Sequence, residues 1–245
     1  MKKALLIIGG SLIILAFAVV IGAGFFLGNA VKAGVNKFGP QVTQSKVVLA
    51  SATLSPFTGT GTLSGLTVGN PAGWSDGQAF SLGQVHLDVA PGSIFQGTIV
   101  INELVIDRPE FNYETTLFSS NIKALLANIE QYTGKGSETA RGKDGSAKKF
   151  IVKRLRFING MATVVFSGTS TVVPLPEIKL DDIGVAEGGV SGAQVATVVM
   201  RSVLSDVASA TASALSKDGG KATIEKAKET AKQLGDAVKD LFKKP

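Results

Sequence analysis

The sequence contains no cysteine. That excludes disulfides, thiol nucleophiles, thiolate metal sites and a lipidated N-terminal cysteine. A single histidine, His86, excludes a histidine-rich metal centre. No Asn-x-Ser/Thr acceptor occurs. Aromatic residues make up 7% of the chain and are not interleaved with lysines on strand-like segments. Nucleic-acid binding needs basic stripes with stacking aromatics, so the net charge of +6 implies no nucleic-acid partner. The lysines are dispersed, with clusters only in a linker and near the C-terminus.

Charge is also missing from Ala4 to Leu27. At 1.5 Å per residue this run reaches roughly 36 Å as a helix, enough for a bilayer core of about 30 Å. Lys2 and Lys3 precede it. A cleaved signal peptide shares the basic start, and Gly28 and Ala30 would suit its cleavage site, but its apolar region is shorter. The expectation is a retained single-pass anchor over 1–30. Lys32, Lys37 and Lys46 follow the run, so the positive-inside bias does not orient it. A short tail before a long folded domain places the tail in the cytoplasm and the bulk of the chain outside it.

From Gln41 to Glu114 the pattern has period two, with dense Gly and Pro punctuation. Val85, Leu87 and Val89 alternate with Gln84, His86 and Asp88. The phase slips at Asn102-Glu103, which predicts a bulge or bend. Ser119 or Ser120 can cap a helix whose apolar residues are Ile122, Leu125, Leu126 and Ile129. The stretch 133–149 has no large apolar residue and reads as a flexible loop. Strand character returns over Phe150 to Ile158. Asn159-Gly160 predicts a hairpin with Met161 to Phe166 as the return strand. Ile178, Leu180 and Ile183 follow Pro174-Leu175-Pro176.

The last third changes period. Between Ala193 and Leu215, Val199, Val203, Val207, Ala210 and Ala214 line one helical face, and Gln194, Thr197, Arg201, Ser205 and Ser209 the other. After Asp218-Gly219-Gly220 a second amphipathic helix is expected. Its seam carries Ile224, Leu234, Val238 and Leu241, with two alanines between them and lysines in excess of acids around them. Such a helix suits an anionic membrane surface; docking on the domain's own sheet ranks slightly lower, because Gly219-Gly220 lets the helix swing free.

No catalytic, cofactor or metal set emerges. Gly59-Thr60-Gly61 with Gly65 is followed by strand-like residues, whereas a phosphate loop needs a helix N-terminus, so these read as bend glycines. His86 reads as a solvated strand residue. Glu177, Asp181 and Asp182 are too few oxygen ligands for calcium, and Lys179 beside them points to a surface ion pair. Asp107-Arg108 reads as a strand-edge pair, and Trp74 as a packing or interfacial residue.

The run Leu63-Ser64-Gly65-Leu66-Thr67-Val68-Gly69-Asn70-Pro71-Ala72-Gly73-Trp74, the strands after it ending Ile106-Asp107-Arg108-Pro109, and the segment from Pro174 to Gly184 followed by Gly188-Gly189-Val190 resemble AsmA-like proteins. The likeness covers most of residues 1–215. It implies an inner-membrane anchor and a periplasmic domain built on a curved, β-rich structure with an apolar groove, acting in phospholipid transport and outer-membrane homeostasis. The expected architecture is therefore mainly β with α. It comprises an anchor over 1–30, a curved antiparallel sheet over 31–190, and a helical segment over 191–245. About seven strands at about 4.8 Å spacing stack to only about 35 Å, too short for a continuous path between two membranes. The expected function is non-enzymatic lipid binding or shielding with membrane lipid as partner. The alternative is a tethered scaffold that recruits envelope proteins or further copies of itself. Alternation alone leaves open whether the apolar face is a groove or a core closed by the C-terminal helices.

Overall fold

A computed structural model describes residues 24, 26–116, 119–134, 148–166 and 169–217, together with Lys232. The chain is mainly β. Eight strands form one sheet: β1 (Val47–Leu54), β2 (Thr60–Gly69), β3 (Gln78–Val89), β4 (Thr98–Thr115), β5 (Lys149–Ile158), β6 (Met161–Phe166), β7 (Thr169–Pro174) and β8 (Ile178–Ile183). Three helices accompany it: α1 over residues 26–43, α2 (Asn121–Gly134) and α3 (Gly192–Lys217). The expected span lies outside the described residues except at its last few positions, and so does most of the 133–149 stretch. The expected boundary at residue 30 falls inside α1.

The sheet order is β1-β2-β3-β4-β5-β8, with β6 and β7 continuing from β4. The expected antiparallel sheet is in fact mixed, because β4 pairs in parallel with both β5 and β6. This also overturns the expected hairpin at Asn159-Gly160. A type I′ turn needs two consecutive residues with positive φ. Asn159 alone has it, at 56°. One left-handed residue kinks the chain without reversing it, so β5 and β6 run on in the same direction along the 18-residue β4.

That kink belongs to a row crossing the sheet. The registers on either side set Ala50 opposite Gly65, Gly65 opposite Gly83, Gly83 opposite Arg108 and Arg108 opposite Asn159. Gly65, Arg108 and Asn159 all have positive φ. Each switches the alternation by one, so residues of opposite parity face the same side above and below the row. Phe111 and Ile106 on β4 are both buried in consequence. The expected bulge near Asn102 is present as well: Asp88 pairs with Glu103 and Val89 with Ile101, leaving Asn102 as the extra residue.

Helices α2 and α3 cover the apolar face, and one buried cluster joins Val85, Ile106 and Leu155 to Ile122, Leu125, Val203 and Leu204. The expected seam of α2 is the buried one, and Ser120 caps it, accepting from the Lys123 N–H at 3.1 Å. Helix α3 opens on a reciprocal box in which Ser191 and Gln194 bond each other's backbone N–H. Val203 and Val207 are buried as expected, but the buried face reaches further round the helix than the expected one. Met200, Leu204 and Ala208 are buried, and so is Thr197, whose hydroxyl donates to the Ala193 carbonyl at 3.0 Å. A threonine that bonds its own helix can turn inward at little cost. Residues Gly192–Ser213 are long and apolar enough to cross a membrane by length and composition. Packing against α2, β5, β7 and β8 accounts for that apolarity.

Helix α1 runs antiparallel to β1 along the sheet edge. A Cβ on Gly24 would lie 3.4 Å from the Leu54 carbonyl oxygen, and one on Gly39 2.7 Å from Val47. Between them, Asn36 Oδ1 accepts the Leu49 N–H at 2.6 Å, and Asn36 Nδ2 donates to the Leu49 carbonyl at 3.4 Å. The side-chain amide takes the place of a neighbouring strand and blunts an exposed edge.

Candidate functional site

The strand directions gather three connections at the end of the sheet where α1 begins: residues 55–59, 90–97 and 184–191. Backbone bonds tie them together. The Val89 N–H donates to the Gly59 carbonyl at 3.0 Å, the Lys149 N–H to Gly97 at 2.9 Å, and Phe150 and Val190 exchange bonds at 2.7 and 2.9 Å. Gly59, at φ 76°, allows this: a Cβ there would lie 1.8 Å from the Val89 carbonyl oxygen. Gly59 and Gly65 are thus bend glycines, as their spacing implied.

At the same end a cleft of about 620 Å³ opens between α3, the C-terminal turn of α2 and the 184–191 connection. Ile183, Val190 and Val198 supply apolar lining. Arg201 lies across it and is held by Glu130, with Nη2 and Nε both 2.8 Å from Oε1. Asp182 and Glu187 also line the cleft, so carboxylates outnumber the guanidinium. An apolar lining beside a net-negative polar rim suits a neutral or zwitterionic amphiphile better than an anion. Arg201 was expected on the solvent face of α3. Its pairing with a residue on another helix has no local signal in the sequence.

The remaining candidates fall apart in space. His86 is exposed on β3, opposite Thr62 and Val105. Lys179 pairs with Glu177 at 3.0 Å, while Asp181 pairs with Arg156 at 2.8 Å. Among the described residues no group of three or more His, Asp or Glu side chains could hold a metal ion. Asp107 and Arg108 do pair, at 3.4 Å, but on a strand inside the sheet and not at its edge. Trp74 is half-buried in the β2–β3 turn. Ile224, Leu234, Val238 and Leu241 lie outside the described residues; of the tail only Lys232 is described, helical and exposed.

The turn that carries the resemblance anchors a polar network. Asn70 Nδ2 donates to Glu114 Oε1 at 2.7 Å and to Ser75 Oγ at 3.0 Å, and Ser75 Oγ also bonds Glu114. Asn121, fully buried at the start of α2, donates to Asn70 Oδ1 at 2.7 Å and to the Asn112 carbonyl at 2.6 Å. Its own Oδ1 accepts the Glu114 and Ile122 N–H groups. The network ties the β2–β3 turn to the end of β4 and the start of α2. Set against protein-family profiles, curated proteins and solved structures, the chain matches none.

Proposed function

We propose that this is a non-enzymatic, AsmA-like envelope protein, anchored in the inner membrane by residues 4–27 with its folded part in the periplasm, that binds or shields a lipid and contributes to outer-membrane homeostasis. The observation that carries the reading is the amphipathic cleft beside Arg201, at the end of the domain where α1 emerges from the expected span. Its volume of about 620 Å³ lies within the usual range for small-molecule sites. Helices α2 and α3 occupy the apolar sheet face, and the cleft at their margin offers an accessible apolar volume that favours lipid. The six-strand path β1 to β8 spans about 24 Å at about 4.8 Å per spacing, which suits holding a lipid and not conveying it between membranes.

Native mass spectrometry of the full-length protein, extracted in detergent, tests this. A phospholipid adduct is expected, and Val198→Trp, which narrows the cleft, should weaken it. A bare protein mass under conditions that preserve the fold would overturn the lipid reading. The second reading, a tethered scaffold, is favoured by β7. Among the described residues it pairs with β6 alone, and Val172 on it is 58% exposed. A free edge of this kind accepts a strand from a partner. Cross-linking from position 172 to a specific envelope protein, without a lipid adduct, would support it.

A further inference from the structure

The exposed phenylalanines among the described residues are Phe26, Phe57 and Phe95, at 73%, 60% and 73%. All three lie at the end of the sheet where α1 begins. Phe26 belongs to the uncharged run itself. Phe57 is at the tip of the β1–β2 connection and Phe95 in the β3–β4 connection. The two connections are joined through Gly59 and Val89.

Their level relative to the run follows from helix α1. Gly28 sits against Ala52 and Thr53, and Gly24, one turn earlier, against Leu54. Phe57 lies beyond Leu54 in the same direction. It is therefore level with, or past, the last turn of the uncharged run, not with Lys32 where charge resumes. The interfacial layer on each side of a bilayer is about 5–7 Å thick, roughly the rise of one helical turn. If the run spans the membrane, the tips of both connections fall within that layer. Phe is among the side chains that surface-bound segments bury at the headgroup–acyl boundary, whereas in water two Phe rings on loop tips lose apolar burial for no return. Packing among the described residues of the domain does not account for them, since all three are exposed.

We propose that the connections 55–59 and 90–97 seat Phe57 and Phe95 in the interface of the bilayer that holds the N-terminal span. The domain then stands on the membrane on its loop tips, with the sheet's strand axes directed away from it and the cleft beside Arg201 close to the headgroups. This rests on the membrane anchor proposed above.

The absence of cysteine makes the test direct, since single cysteines can be introduced and spin-labelled without removing any. The full-length protein carrying Phe57→Cys, Phe95→Cys, Ala72→Cys or Leu15→Cys is reconstituted into liposomes of phosphatidylethanolamine and phosphatidylglycerol. Accessibility of each label to dissolved oxygen is compared with accessibility to a water-soluble nickel complex. The expected oxygen-to-nickel ratio at positions 57 and 95 is severalfold that at Ala72, in the turn at the opposite end of the sheet, and below that at Leu15 inside the run. Quenching of Phe57→Trp, in a Trp74→Phe background, by lipids brominated on the acyl chain gives the same reading without a label. If position 15 reads as lipid while 57 or 95 reads as wet as 72, the seated loops are overturned and the anchor stands. If position 15 itself reads as water, the anchor falls, and this inference with it.

Discussion

Asn121 has four hydrogen-bonding places on its side chain and fills all of them, two as donor and two as acceptor, with no solvent exposure. Removing it strands the Asn112 carbonyl and the Glu114 N–H in a dry site. Asn121→Ala is therefore expected to cost about 2–3 kcal/mol, read as a lowered urea midpoint with unchanged slope. Asn121→Asp keeps the shape but aims a carboxylate at two acceptors, and should cost at least as much. Asp206 on α3 makes a contrasting case: desolvation by burial holds its carboxyl above the ordinary value of 3.8. The folded state then binds a proton more readily than the unfolded state. Stability contributed by this group is present below about pH 4 and is lost as pH rises through the folded value. Asp206→Asn should raise the melting temperature at pH 7, and the gap should close on acidification toward pH 3. The apolar seam of α2 was readable from spacing because its residues are neighbours in sequence. The Asn70–Asn121 bond joins residues 51 apart, and nothing local to either asparagine announces it.

At the scale of elements, local period carried the reading where a strand or helix buries one face, and failed where a single residue changes hand. The slip at Asn102-Glu103 was visible because apolar residues on both sides mark the phase. Asn159-Gly160 was misread because the same dipeptide serves a reversal or a kink. Which one forms depends on β4, which offers pairing partners to β5 and β6 on both sides of Arg108. Helix α1 is the other element whose role was hidden. Its glycines read as part of an apolar run, yet Gly28 lies where a Cβ would come within 2.1 Å of the Ala52 carbonyl oxygen. Gly28→Leu should lift α1 from β1 and release the Leu49 N–H from Asn36. Hydrogen exchange at Leu49 should speed up by more than tenfold, with the amides of β3 and β4 little affected. Asn36→Ala should accelerate the same amide without the steric push. If Leu49 remains protected in both variants, α1 does not cap the edge.

For the molecule as a whole, hydrophobic period indicated a mainly β chain with helices, while the parallel pairing of β4 with β5 was out of reach. Parallel neighbours need a long crossover, and 116–148, which contains α2, supplies it, but the length of a connection does not say which strand it returns to. On the reading proposed above, two features besides the N-terminal run would bring the molecule to a membrane, the loop tips with Phe57 and Phe95 and the tail with Ile224, Leu234, Val238 and Leu241, and their contributions are separable by salt. Aromatic insertion at Phe57 and Phe95 is insensitive to ionic strength, whereas a lysine-rich helix loses attraction to an anionic surface when charges are screened. A chain beginning at residue 24, which keeps the described residues of α1, is the right one for flotation with phosphatidylglycerol-containing vesicles. It should float at low salt and float less at high salt. Leu234→Asp with Leu241→Asp should remove the salt-sensitive part and leave the melting temperature of the sheet domain unchanged. Phe57→Ser with Phe95→Ser should reduce the salt-insensitive remainder, to which Phe26 also contributes. If salt has no effect on flotation, or if the double aspartate substitution unfolds the domain, the tail packs on the protein itself and does not lie on the membrane.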